Sequence, residues 1–218
     1  MTGYFLTPDH PRMYQAIGLL RGKYLPSEEN STRGFFLTSD GAKFPAIVSG
    51  HTVSRLKNHP EWIEEDSCWA AWPWMRKELP QLFFRLISVK LGKDEAERTL
   101  IEANVDRFSI RGVVAKYDST AGKLTIRIRR NEKAPEGKER IFSWRPFYLD
   151  IQGFLQNAEL GQFWELHCRR DHDRLVLEDA HLVEEAPVSQ KKDSSVSSRD
   201  ASASPKGKPR KAQLADKD

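Results

Sequence analysis

Apolar and polar positions alternate most cleanly in KLTIRIRRN, residues 123–131, where Leu124, Ile126 and Ile128 are interleaved with Thr125, Arg127 and Arg129. Successive side chains of a strand leave opposite faces, so the segment predicts a half-buried strand with one core face and one face carrying two guanidinium groups. RFSIRGVVAKY precedes it across a turn at 118–122. A polar loop over 132–139 leads to RPFYLDIQGF, then to GQFWELHCRR, and a turn at 171–173 returns the chain as RLVLEDAHLV. Five strands without a long helical pattern predict a small barrel.

The first half of the chain reads similarly. MYQAIGLLRGKY is β-compatible and runs into Pro26 and the polar cluster SEENST, and two short apolar runs then flank Ser39-Asp40-Gly41. Asp-Gly suits the positive φ angles of a tight turn, so a hairpin is expected there. Beyond Gly50, Val53, Leu56 and Lys57 fall at helical spacing until Pro60 stops them, and 68–75 and 81–91 read as two further strands. The order β-β-β-α-β-β is that of an OB barrel. Residues 93–105, KDEAERTLIEANV, set Ala96, Leu100 and Ala103 or Ile101 on one side, as a short amphipathic connecting helix would. The expected fold class is therefore mainly β: two small OB-like β-barrel units in tandem with short helices, followed by a disordered C-terminal tail. The expected boundaries are 1–92 for the first unit, 93–105 for the helix, 106–186 for the second unit and 187–218 for the tail. Both units place Arg-Gly in the first strand, in LLRGKY and SIRGVVAKY, which is compatible with distant repetition.

Charge changes the picture in two places. The tail holds six Lys, two Arg and four Asp, and removing these from the chain's 35 basic and 31 acidic side chains leaves 27 of each in residues 1–186. A neutral body thus carries a cationic, Ser-rich appendage without aromatic residues, a composition that buries too little apolar surface to offset its ordering entropy. Within the body, 106–148 has eleven basic against five acidic residues, whereas 149–186 has three Arg against nine Asp or Glu. The first stretch is a candidate anion-binding surface, and the second is a neighbour able to pair with it.

Candidate nucleic-acid-binding residues are Arg107, Arg111, Arg127 and Arg129, whose guanidinium groups on adjacent strands would meet successive phosphates. Trp144 joins them as a stacking platform, and Lys206, Lys208, Arg210 and Lys211 as phosphate contacts from the tail. The competing reading has the same arginines pairing with Glu165, Asp171, Asp173, Glu178 and Asp179 of their own unit. In CWAAWPWMRK, Trp69, Trp72 and Trp74 are candidates for a partner-binding edge, with Pro73 marking an edge or a bend. His167, Cys168, His172 and His181 lie near one another without metal-ligand spacing, so no metal and no cofactor is expected. Cys68 and Cys168 form no CxxC pair and read as small core residues. No phosphate loop, dinucleotide fingerprint, nucleophile elbow or HExxH occurs, and no catalytic residue is nominated. No apolar run of membrane-spanning length and no secretory signal pattern is present, so a soluble cytoplasmic protein is expected.

The segments RGKYLPSEEN and TRGFFLTSDGAKFPAIVSGH, with RGVVAKY, IRIRRN and GQFWEL further on, resemble a group of conserved cyanobacterial proteins without established activity. The resemblance covers both β-rich units, implies a bacterial cytoplasmic origin and supplies no catalytic residues. Two functions follow as expectations. The first is a non-enzymatic binder of RNA or single-stranded DNA that uses an Arg-rich sheet face and a cationic tail; the alternative is an assembly factor presenting β-edges and Trp side chains to a protein.

Overall fold

The computed structural model describes residues 4, 5, 8, 10, 12–76, 79–129, 131 and 146–185, the side chains of 79 and 80 excepted. Trp144 and the tail, with its expected disorder and with Lys206, Lys208, Arg210 and Lys211, lie outside the described residues.

The first five strands are β1 (Gln15–Pro26), β2 (Arg33–Thr38), β3 (Lys43–Val48), β4 (Ser67–Arg76) and β5 (Leu79–Val89). Two helices, α1 (Gly50–Asn58) and α2 (Glu61–Glu64), stand between β3 and β4. Pairing runs β1-β2-β3-β5-β4 and closes through β4 on β1, antiparallel throughout except for β3 with β5. After α3 (Glu95–Ala103) the pattern repeats with β6 (Arg107–Asp118), β7 (Lys123–Ile128), β8 (Phe147–Gln152), β9 (Phe163–Asp171) and β10 (Arg174–Glu184). The second ring is β6-β7-β8-β10-β9-β6, again with only the third and fifth strands parallel. Each ring is a five-stranded OB barrel.

Local chemistry explains the closures. The β2–β3 hairpin turns at Asp40-Gly41, with Gly41 at φ 86° and the Thr38 amide bonded to the Ala42 carbonyl at 2.9 Å. In β1 the Arg-Gly pair marks the bend at which one strand serves two neighbours: Gly22 has φ 153°, and a Cβ there would sit 2.1 Å from the Leu37 carbonyl oxygen. Helix α1 starts at Ser49, whose hydroxyl accepts from the Thr52 amide at 3.0 Å. Helix α3 starts at Asp94 and buries Ile101 against Leu19, Cys68 and Ala70 on the outside of the first barrel. Leu100, expected on the apolar face, is exposed instead, because the contact stripe is narrow enough for one large side chain.

The two barrels are joined by a ladder, a core and an ion cluster. β1 pairs with β6 from Gln15↔Arg111 to Gly18↔Phe108, and β4 touches β8 at Met75↔Tyr148. Gly18 lets the Phe108 ring lie on the β1 backbone, where a Cβ would come within 2.1 Å of it. Phe108 stacks on Phe84 at 5.9 Å, so the interiors form one continuous apolar cluster. Beside this seam Arg170, 4% exposed, bonds both carboxylate oxygens of Asp106 at 2.7 and 3.0 Å and Asp40 of the β2–β3 turn at 3.0 Å. Partial burial alone would raise the Asp40 carboxyl, but the Thr38 hydroxyl and Arg170 outweigh it and hold the group at about 2. Cys68 and Cys168 are free and buried, and burial pushes the Cys68 thiol up to about 11.

Candidate nucleic-acid interface

The four arginines nominated on the second barrel do not form one solvent-facing cluster. Leu124, Ile126 and Ile128 are buried to 2% exposure or less, so β7 alternates as its sequence requires and turns Arg127 and Arg129 outward. Arg129 is exposed, whereas Arg127 is half-buried opposite Tyr148. Arg111 is a correction to the sequence reading: at 2% exposure it is covered where β1 pairs with β6, and it lies 3.9 Å from Glu165. Arg107 shares Glu178 with Arg169, at 3.3 and 3.2 Å. On β7–β8, Asp150 takes Lys123 at 2.8 Å and the Thr125 hydroxyl at 2.8 Å. Among the described basic residues counted along 106–148, Arg107, Arg111 and Lys123 are therefore balanced across strands by the acidic stretch that follows.

The Trp run of β4 splits by position. Trp69 is fully buried in the first barrel and cannot meet a partner, which corrects its nomination. Its side of the strand faces the interior with Ala71, while Ala70 lies under α3. Beyond Ala71, β4 has left β1, Pro73 sits within this departing stretch, and Trp72 emerges 45% exposed with Trp74 half-buried beside it.

Registers across β2, β3, β5 and β4 align these tryptophans with side chains the sequence did not single out. Leu25 pairs with Phe35, Phe35 with Pro45, and Phe83 with Trp74; the β3–β5 register sets Pro45 beside Phe83. Paired residues share a face, so these five side chains make an apolar row across the outside of the barrel. One adjacent row runs Arg33, Ile47, Arg85, Trp72, and the other contains Lys23, Leu37 and Lys43. Among the described residues of these rows there is no carboxylate.

Cations lie over the rings of this face. Lys43 lies over the 43%-exposed Phe35 ring at 4.2 Å, and Arg85 over Trp72 at 5.6 Å. Arg76 lies over both Trp74 and Phe83, at 5.5 and 5.0 Å. Chemically this is a set of ring faces flanked by positive charges, the arrangement that stacks bases and tracks a phosphate backbone. The composition did hold a signal: residues 33–48 and 67–92 contain six basic side chains and two acidic ones, Asp40 and Glu78. Asp40 is occupied by Arg170.

The pairing order twice defines an OB barrel, and the molecule is a tandem OB-fold protein. Residues 16–97 match the family described as PatR RNA-binding protein, N-terminal OB-fold domain, and residues 110–184 match that described as cyanobacterial OB-fold-like RNA-binding domain, C-terminal. Together the matches span most of the chain and fit a conserved cyanobacterial protein group. Among curated proteins none matches. The family descriptions support nucleic-acid binding as the general activity. Among the described residues, no helix is long and apolar enough to cross a membrane.

Proposed function

We propose that the protein is a non-catalytic binder of single-stranded RNA and that the outer face of β2, β3, β5 and β4 is its principal contact surface. The observation that carries this reading is the apolar row Leu25, Phe35, Pro45, Phe83, Trp74 lying between two rows that hold cations and no carboxylate. A base stacking on Phe35 or Trp72 displaces Lys43 or Arg85 from the ring, and the displaced cation is then placed to meet that nucleotide's phosphate. The face belongs to the strands with which OB folds commonly hold oligonucleotides. RNA-binding names attached to both family matches favour RNA over single-stranded DNA. Trp72 and Trp74 serve RNA in this account, since a protein-docking edge has no need of a cation over each ring. Arg129 and the tail add phosphate attraction at the periphery.

Photo-crosslinking tests the placement. The full chain is irradiated with a uridine-rich oligonucleotide, and the modified peptides are mapped by mass spectrometry. Adducts concentrated on the peptides carrying Phe35, Trp72 and Trp74 are expected. Adducts confined to the second barrel or to 187–218 would overturn the assignment.

A further inference from the structure

Resting on that reading, we infer that the face takes unpaired RNA and is nearly indifferent to base identity. Base discrimination needs paired donors and acceptors aimed at base edges: Asn or Gln for adenine, a carboxylate for cytosine, an Arg fork for guanine. Among the described residues of the three rows there is no Asn, Asp, Glu, Ser or Thr, and the one amide is Gln81, exposed beyond Lys43. Arg76 lies over ring faces and Arg85, once a base displaces it from Trp72, goes to that nucleotide's phosphate, which leaves the exposed Arg33 at the end of its row as the one fork among the described residues of the face able to meet a guanine edge. Where Ala46–Val48 pairs with Phe84–Leu86, the backbone of both strands is committed to ladders on each side.

What remains on the face reads features common to all nucleotides. A ring stacks on any base, and a lysine or arginine neutralises any phosphate. A duplex is refused for the complementary reason: its base faces are buried in its own stack, and its A-form major groove is too deep and narrow for side chains to read. From Phe35 on β2 to Trp74 on β4 is three strand steps, about 14 Å, room for a short unpaired stretch.

The test is competition anisotropy with the full chain and labelled U12. Competitors are U12, three versions whose central four nucleotides are A, C or G, and a twelve-base-pair RNA duplex. The four single strands are expected to compete within about tenfold of one another and the duplex to be more than tenfold weaker. Phe35→Ala with Trp72→Ala should weaken all four single strands in parallel and leave duplex competition unchanged. A single strand preferred by more than tenfold, or a duplex competing as well as U12, would overturn the inference while leaving the face as an RNA site. A double variant that changes no competitor would instead overturn the proposed function itself. Gln81→Ala provides the check on residual preference: parallel curves are expected, and a preference that appears or disappears with this amide counts against base indifference.

Discussion

Replacing Arg170 by Met tests whether the two barrels behave as one structure. The guanidinium is 4% exposed and makes three carboxylate bonds and one to the His172 carbonyl at 2.9 Å. Removing one partner of a buried ion pair costs about 3–5 kcal/mol when the other is left stranded. Here the stranded groups are partly hydrated, Asp106 at 29% exposure and Asp40 at 45%, so water recovers part of the loss. About 2–3 kcal/mol is expected, or a fall in Tm of about 4–12 °C for a body of this size. Urea unfolding at pH 7 measures the first quantity and calorimetry the second. Asp106→Asn keeps a side chain that tolerates the φ of 63° at this position, and in the Arg170→Met background it should cost less than in the native chain. A loss below about 0.5 kcal/mol, or additive effects of the two substitutions, would refute the idea that this cluster fastens one barrel to the other.

The depressed Asp40 carboxyl contributes stability that is fully present above the ordinary carboxylate range and is lost as pH falls towards about 2. The contribution is on the order of 1 kcal/mol after allowing for the screening of a half-exposed group. Urea midpoints between pH 6 and 2.5 should therefore fall less steeply in Asp40→Asn than in the native protein, and superimposable slopes would exclude the linkage. Ile126→Ala should open a cavity in the second barrel and cost about 2–5 kcal/mol by urea titration. Gly18→Ala should cost about 1–3 kcal/mol through overpacking against the Phe108 ring. A neutral result at Gly18 would mean that the seam between the barrels yields.

Legibility in the sequence followed the strength of the local signal. Alternation at 124–129 and the Asp-Gly turn at 40–41 are set by side-chain chemistry within a few residues, and the structure shows both. The OB strand order emerged from the helix lying between the third and fourth strands of the first half. Long-range pairing was illegible. Arg111 looked like its neighbours because its covering strand, β1, lies almost one hundred residues away in sequence, and Glu165 meets it only through the β6–β9 register. In GFFLTS the adjacent phenylalanines make the strand's parity ambiguous, and a one-residue choice decides whether Phe35 or Phe36 faces water. Phe36 is buried and Phe35 is 43% exposed. The Trp run was ambiguous for a different reason. The outer side of β4 is covered by α3 at Ala70 and bare at Trp72, so its apolar residues serve a core, a helix contact and an open face in turn.

The location of the RNA site is tested most directly by comparing two double variants in one binding assay. Phe35→Ala with Trp72→Ala strips the first barrel's exposed rings, and Arg127→Ala with Arg129→Ala strips the outward arginines of β7. Each stacking ring is worth about 1–3 kcal/mol, so the first variant should lose at least about 25-fold in affinity for a twelve-nucleotide single-stranded RNA at fixed salt, with Tm unchanged. The second should lose severalfold at most and show a salt slope shallower by about one. The reverse order, with the β7 variant abolishing binding and the ring variant behaving as the native protein, would contradict the account and move the site to the second barrel.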